Sequence, residues 1–231
     1  MFDISPAEWT AILLSLRVAV VATLVATPFG IALAWLLARR DFWGKSILDA
    51  AVHLPLVLPP VVTGYLLLLT FGRRGLVGAW LADHLGIVFA FRWTGAALAC
   101  GIMSFPLLVR PIRLSIEAID RRLEQASSTL GAAPWQVFAT VTLPRALPGV
   151  LAGMVLGFAK AIGEFGATIT FVSNIPGETQ TISSAIYSLI QTPDGDAAAG
   201  RLVLISIVIA MSALIASEWF ARRATKRLHG N

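Results

Sequence analysis

The sequence predicts an all-α fold, a polytopic bundle of transmembrane helices, and three observations carry that prediction. Of 231 residues, 57% are hydrophobic and only 13% are charged, where a soluble domain carries about 25% charged residues. The mean hydropathy is +0.78. Uninterrupted apolar stretches recur along the chain, among them Val18 to Ala38, long enough to cross a hydrocarbon core of about 30 Å. The basic residues, finally, are gathered between these stretches rather than spread evenly. This composition excludes disorder, and the lone Cys100 excludes a soluble disulfide scaffold.

The elements follow in order. Residues 1–10 carry Asp3 and Glu8 and no basic n-region, so the first apolar segment is expected to stay as a span, over 11–38. A second span covers 47–71, where the stretch Ala50 to Gly72 has His53 as its ionisable group, and a third covers 93–112. Between them, 76–91 is apolar but interrupted by Gly78, Asp83, His84 and Gly86, which reads as a short interfacial or re-entrant helix, periplasmic if the family likeness drawn below holds. The fourth span is placed at 149–172 and the fifth at 201–221, all within one membrane domain, 1–231. Trp9, Trp35, Trp43, Trp93 and Trp219 fall at span ends, where interfacial anchors belong.

Five spans put the termini on opposite sides, and the basic residues decide which. Arg39, Arg40, Lys45, Arg110, Arg113, Arg121, Arg122, Arg145, Arg222, Arg223, Lys226 and Arg227 lie on one side. Only Arg73, Arg74, Arg92 and Arg201 lie on the other. Positive charge resists translocation, so the N-terminus is expected outside and the C-terminus in the cytoplasm. The net charge of +5 then reports orientation, and no basic stretch interleaved with aromatics suggests nucleic acid. Arg17 near the outer end of the first span can snorkel to the interface.

Two spans are chemically unusual. The second contains Pro55, Pro59 and Pro60, each removing a backbone donor. Two readings stand: a broken helix lining a pathway, or a kink that shapes packing. In the fourth, Gly149, Gly153 and Gly157 recur at every fourth position, and small residues let helix backbones approach closely. At about 100° per residue, Lys160 and Glu164 share that glycine face, which must look into protein or an aqueous cavity. The pair either neutralises itself so that the helix can insert, or it places Lys160 on an anion path.

The longest polar interior segment, 117–148, holds Leu123-Glu124-Gln125-Ala126-Ser127-Ser128-Thr129-Leu130-Gly131-Ala132-Ala133-Pro134-Trp135. Gly131 suits a helix C-terminal cap and Pro134 the first turn of the next helix. A short helix, a sharp turn and a second helix ending before Pro144 are expected. Gly131, nine residues, then Val141, Thr142, Leu143 and Pro144 resemble the EAA loop of importer-type ABC permeases. The likeness departs at its start, where strict spacing gives Gln125-Ala126-Ser127 and Glu124 stands one residue early. The runs Leu54 to Tyr65, Gly163-Glu164-Phe165-Gly166-Ala167-Thr168 and Ile175 to Thr181 narrow the resemblance to permease subunits of molybdate ABC importers. Sulfate permeases share the second run.

That resemblance implies a bacterial inner-membrane, multi-pass subunit that is not itself an enzyme. It implies a homodimer around a central path in membrane lipid, two copies of a cytoplasmic ABC ATPase holding ATP-Mg, and a periplasmic oxyanion-binding protein. The chain itself would bind no cofactor and no metal, and would pass molybdate or tungstate inward. Glu124, Gln125, Ala126, Ser127, Gly131, Ala132, Pro134, Leu143 and Pro144 would form the ATPase-coupling loop. Pro55, Pro59, Pro60, Gly64, Gly149, Gly153, Gly157, Lys160, Glu164, Gly166 and Thr168 are candidates for the path or its packing. Gly44-Lys45-Ser46 is no P-loop, because Arg39 stands at the leading glycine position. No HExxH or GxSxG occurs, and adjacent Asp83 and His84 do not make a metal site. The alternatives are a sulfate/thiosulfate ABC permease and an ion-coupled secondary anion transporter, which would carry coupling groups within its spans.

Overall fold

Ser5 starts the first helix through a reciprocal cap: its hydroxyl accepts from the Glu8 amide and its own amide donates to Glu8 Oε2. Helix α1 (Pro6–Arg39) then runs 34 residues without a break. The computed structural model describes residues 4–229, with side chains over 4–216. Asp3, Trp219 and the C-terminal cluster Arg222, Arg223, Lys226 and Arg227 therefore lie outside the described side chains.

Helices α2 (Lys45–Val57) and α3 (Pro60–Phe71) meet at a bend of 114°. The proline pair makes that bend. Each proline disfavours helical backbone in the residue before it, and Leu58 (ψ 143°) and Pro59 (ψ 134°) are accordingly extended. The span is thus broken at the proline pair rather than gently kinked. Pro55, by contrast, stays inside α2.

Helix α4 (Leu76–Leu85) is closed by Gly86 in the left-handed region, φ 65°. Its ten residues reach about 15 Å, half a bilayer core. The expected short helix is present, shorter than 76–91. Helix α5 (Trp93–Glu117) is the central member, buried along most of its length between α1 on one side and the later helices on the other.

Helices α6 (Arg121–Thr129) and α7 (Pro134–Val137) flank the turn at Gly131. The second helix does not end before Pro144. It continues through a wide turn over Phe138–Thr142 into α8 (Leu143–Ile162), one rod of 29 residues from Pro134 to Ile162. In that turn the Leu143 amide reaches back five residues to Phe138 O. A π-turn of this kind gives the Pro144 ring room against the preceding turn, so the proline bends the register rather than stopping the helix.

The fourth span also differs from the expected 149–172. It starts earlier and stops at Ile162, with Gly163 as its cap. A separate short helix, α9 (Gly166–Val172), follows, then α10 (Ile182–Leu189) and α11 (Asp196–His229). Hydropathy does not distinguish one long helix from a helix and a half-helix, because apolar residues dominate on both sides of Gly163. Among the described residues, four helices are long and apolar enough to cross a membrane, and the α2–α3 pair makes a fifth if counted as one bent span.

Candidate functional site

The glycine ridge of α8 faces α5. A Cβ on Gly149 would sit 2.3 Å from Ser115 Cβ, and one on Gly153 would sit 2.5 Å from Leu108 O. Gly157 lies over Leu108 and Ser104. These glycines bring two helix backbones into contact, which is what small residues do where hydrophobicity cannot drive association. They look into protein, on the face that packs rather than on an open channel.

A second close crossing joins α3 and α9. At Gly64 a Cβ would meet Ala167 O at 2.5 Å, and at Gly166 it would meet Pro60 Cβ at 2.7 Å. The broken second span and the half-helix after α8 are thus locked together by two glycines and a proline. Beside them, Glu164 joins the end of α8 to the start of α9. Its Oε2 accepts from Lys160 Nζ at 2.7 Å and its Oε1 from the Ala167 amide at 3.0 Å. A lysine in the last turn of one helix and a carboxylate at the start of the next both sit well with the helix dipoles. Glu164 is past the end of α8, so it does not share a continuous helical face with the glycine ridge. Its side chain is buried while that of Lys160 is 30% exposed.

Thr168 is buried, its hydroxyl donating to Phe165 O. Thr63, next to Gly64, buries a hydroxyl that has no partner among the described residues. Neither Thr63 nor Cys100, whose thiol donates to Ala161 O at 3.6 Å, stood among the candidate site residues. Pro55 stands apart from this cluster, on a groove between α1, α2 and α5.

The polar segment forms a second surface, 117–148. Asp120 caps α6 by accepting from the Arg122 amide at 2.9 Å. Gly131 adopts φ +90°, and the amides of Gly131 and Ala132 close onto Ser128 O and Ser127 O. Pro134 opens α7, and the Ala133 amide donates to the Gln136 side chain. Glu124 turns inward: Arg39 donates to it at 3.1 Å and the Thr142 hydroxyl at 2.7 Å. Arg39 also donates to Ile119 O, and Arg121 to Ala38 O. The loop is therefore tied to the C-terminal end of α1, across a groove of about 460 Å³ that includes Trp35, Glu124 and Phe138.

Outward, Gln125 and Ala126 are exposed and Ser127 and Ala132 half-buried. Leu143 and Pro144 are half-buried in α8. Two bulky groups stand out, Leu130 at 88% and Trp135 at 69% exposure. They flank the Gly131 turn on an otherwise polar element. Their only signal in the sequence is an apolar residue on each side of a turn. Arg39 and Thr142 had none, since 85 residues separate Arg39 from Glu124. His53 Nδ1 lies 2.8 Å from the Asp49 carbonyl, and Arg113 joins α5 to α2 through Asp49 at 2.9 Å.

The sequence matches, over residues 26–226, the family described as binding-protein-dependent transport system inner membrane component. It is 61% identical over 220 residues, 95% of this chain and 96% of the other, to the molybdenum transport system permease protein ModB of Escherichia coli strain K12. The corresponding protein of Haemophilus influenzae is 57% identical, over 96% of each chain. A probable sulfate transport system permease protein of Chlorella vulgaris is 36% identical over 87% of this chain and 76% of its own. In fold, the chain resembles a bacterial alginate ABC transporter in complex with a pentasaccharide-bound periplasmic protein, with TM-score 0.75, 20% identity and coverage of 96% and 81%. It also resembles the MetNI methionine ABC transporter in inward-facing form, with TM-score 0.71, 15% identity and coverage of 97% and 99%.

Proposed function

The chain belongs to the family of binding-protein-dependent transport system inner membrane components, and from that premise we propose that it is the membrane-spanning subunit through which an ATP-driven importer carries molybdate into the cytoplasm. Its nearly full-length likeness to molybdenum transport permeases carries the substrate reading. The weaker likeness to a sulfate permease leaves molybdate the better-supported oxyanion.

Within this reading the chain moves no electrons and breaks no bonds. Two copies enclose the path, a separate ATPase on each supplies the work, and a periplasmic protein delivers the dianion, in a bacterial inner membrane with the N-terminus outside. The surface around Gly131 suits docking on the ATPase: Leu130 and Trp135 project from an element that Arg39, Glu124 and Thr142 hold against α1. Force on that loop passes into α8 without a joint, because α7 and α8 are one rod. The far end of that rod meets the Lys160–Glu164 pair and, through α9, the broken span α2–α3. We assign the path to this α3–α9 crossing and the glycine ridge of α8 to packing. A conduit holds its ion weakly enough to release it, which suits a site with one half-buried lysine already neutralised by a carboxylate.

The test is uptake of radiolabelled molybdate by vesicles holding the purified assembly, its binding protein and internal ATP. Uptake is expected to stop when ATP is replaced by a non-hydrolysable analogue, and excess tungstate is expected to compete. Uptake that persists with the analogue and follows an imposed ion gradient instead overturns the reading in favour of a secondary transporter. Sulfate competing better than tungstate moves it to the sulfate permeases.

A further inference from the structure

Away from the α3–α9 crossing, α1, α2 and α5, with Phe89 just before α5, line a groove of about 650 Å³. Its walls are apolar, and Thr94 and the Trp93 indole are the only polar side chains among its lining residues. Along α1 it runs from Val21 to Phe29 and along α5 from Trp93 to Phe105, about 12 and 18 Å of helix. One leaflet of a bilayer core is about 15 Å deep. At the end nearer the α1 N-terminus, the Arg17 guanidinium lies 3.7 Å from the Trp93 ring centroid.

Trp93 is the first residue of α5, so this stack sits at the level where a helix enters the membrane. Arg17 is exposed there, and no carboxylate of the described residues pairs with it. Stacking uses the face of the guanidinium and leaves its five in-plane N–H donors for an acceptor. A cation at headgroup depth above an apolar slot one leaflet long has the layout of a phospholipid: phosphate above, acyl chain below. A helix of a second copy fits less well. Close helix contacts in membranes use small residues, whereas Val25 and Phe29 stand exposed here at 57% and 65%.

We infer that this groove binds one acyl chain of an anionic phospholipid, in the leaflet on the side of the α1 N-terminus, with Arg17 held by Trp93 as the phosphate ligand. The lipid would fill the gap between α1 and α2, which otherwise meet chiefly through α5. That places a bilayer component against α2, the first half of the broken span, at Ala51, Val52 and Pro55. The inference stands on the groove and its cation and does not depend on which ion is transported.

The complete assembly is reconstituted in vesicles containing phosphatidylglycerol with a photoactivatable acyl chain, irradiated, digested and mapped by mass spectrometry. Label is expected on the α1 and α5 segments that line the groove. Arg17→Gln, at an exposed site, is expected to lower that label roughly fivefold, as loss of one basic residue near a lipid surface implies. It should leave labelling by a diacylglycerol with the same reactive chain unchanged. Gly101→Leu is expected to abolish both, since Gly101 lines the groove and a Cβ there meets nothing closer than 3.7 Å. Label spread evenly over all lipid-facing helices, or insensitive to Arg17→Gln, overturns the inference. So does efficient cross-linking between copies through Gly101→Cys, which would make the groove a protein interface.

Discussion

Glu164 is the most buried carboxylate among the described residues, at 2% exposure, and it rests on one ammonium and one amide. Removing the partner of a buried charge costs about 3–5 kcal/mol. Lys160→Met is therefore expected to lower the thermal stability of the solubilised assembly sharply. Lys160→Met with Glu164→Gln should lose less than the single change, because no unpaired charge remains. Should that double variant assemble and still import molybdate at the parental rate, Lys160 contributes no charge to the path. At the other end, Glu124→Gln keeps an acceptor for Thr142 and loses the charge facing Arg39, worth about 1.5–3 kcal/mol. Faster amide exchange across residues 121–129 is the expected sign. The cap at Gly131 and the helix start at Pro134 were legible in sequence because they follow from each residue's own backbone chemistry. The Arg39–Glu124–Thr142 cluster was not, since a side-chain pair across 85 residues leaves no local trace.

Among the elements, the contact of α8 with α5 depends on backbone approach. Gly153→Ala would put a methyl 2.5 Å from Leu108 O, and overpacking of this kind costs about 1–3 kcal/mol. Gly200→Ala in α11 meets nothing within 4 Å and should be neutral or stabilising by up to about 1 kcal/mol. Parallel melting curves of the two variants give the comparison, and equal melting temperatures would contradict the packing role. The bend between α2 and α3 rests on two prolines, so Pro59→Ala with Pro60→Ala is expected to straighten the span and abolish uptake without preventing insertion. Spin-label distances from α2 to the end of α3 would lengthen. The prolines announced a disturbance in the sequence. That the broken span packs on α9, whose Gly166 receives Pro60, was not legible there.

On the scale of the whole molecule, the chain is closed at both ends by ionic contacts. Arg201 at the start of α11 donates to Glu8 at the start of α1, at 3.0 Å, and the Ile182 amide donates to Ser15. Arg39 and Arg121 tie the polar loop to the opposite end. The loop thus behaves as part of the bundle with Leu130 and Trp135 as its projecting contacts. Trp135→Ala is expected to weaken co-purification with the proposed ATPase partner about thirtyfold or more, since buried interface tryptophans are worth about 2 kcal/mol or more. Membrane insertion and the melting temperature should change little, because the side chain is 69% exposed in the free chain. Undiminished co-purification would place the coupling contact elsewhere.

The sequence by itself determined the helical class and the approximate positions of most of the long apolar helices, because hydropathy acts locally along the chain. It also located the loop that carries Gly131 and Pro134. It did not determine where the fourth helix begins and ends, since apolar residues dominate both α8 and α9 and only the turn at Gly163 and Glu164 separates them. Nor did it decide what the glycines of α8 face or which residue holds Glu124. Those depend on which helix lies alongside, and in a bundle whose exterior is as apolar as its interior, packing geometry rather than hydrophobicity selects the neighbour.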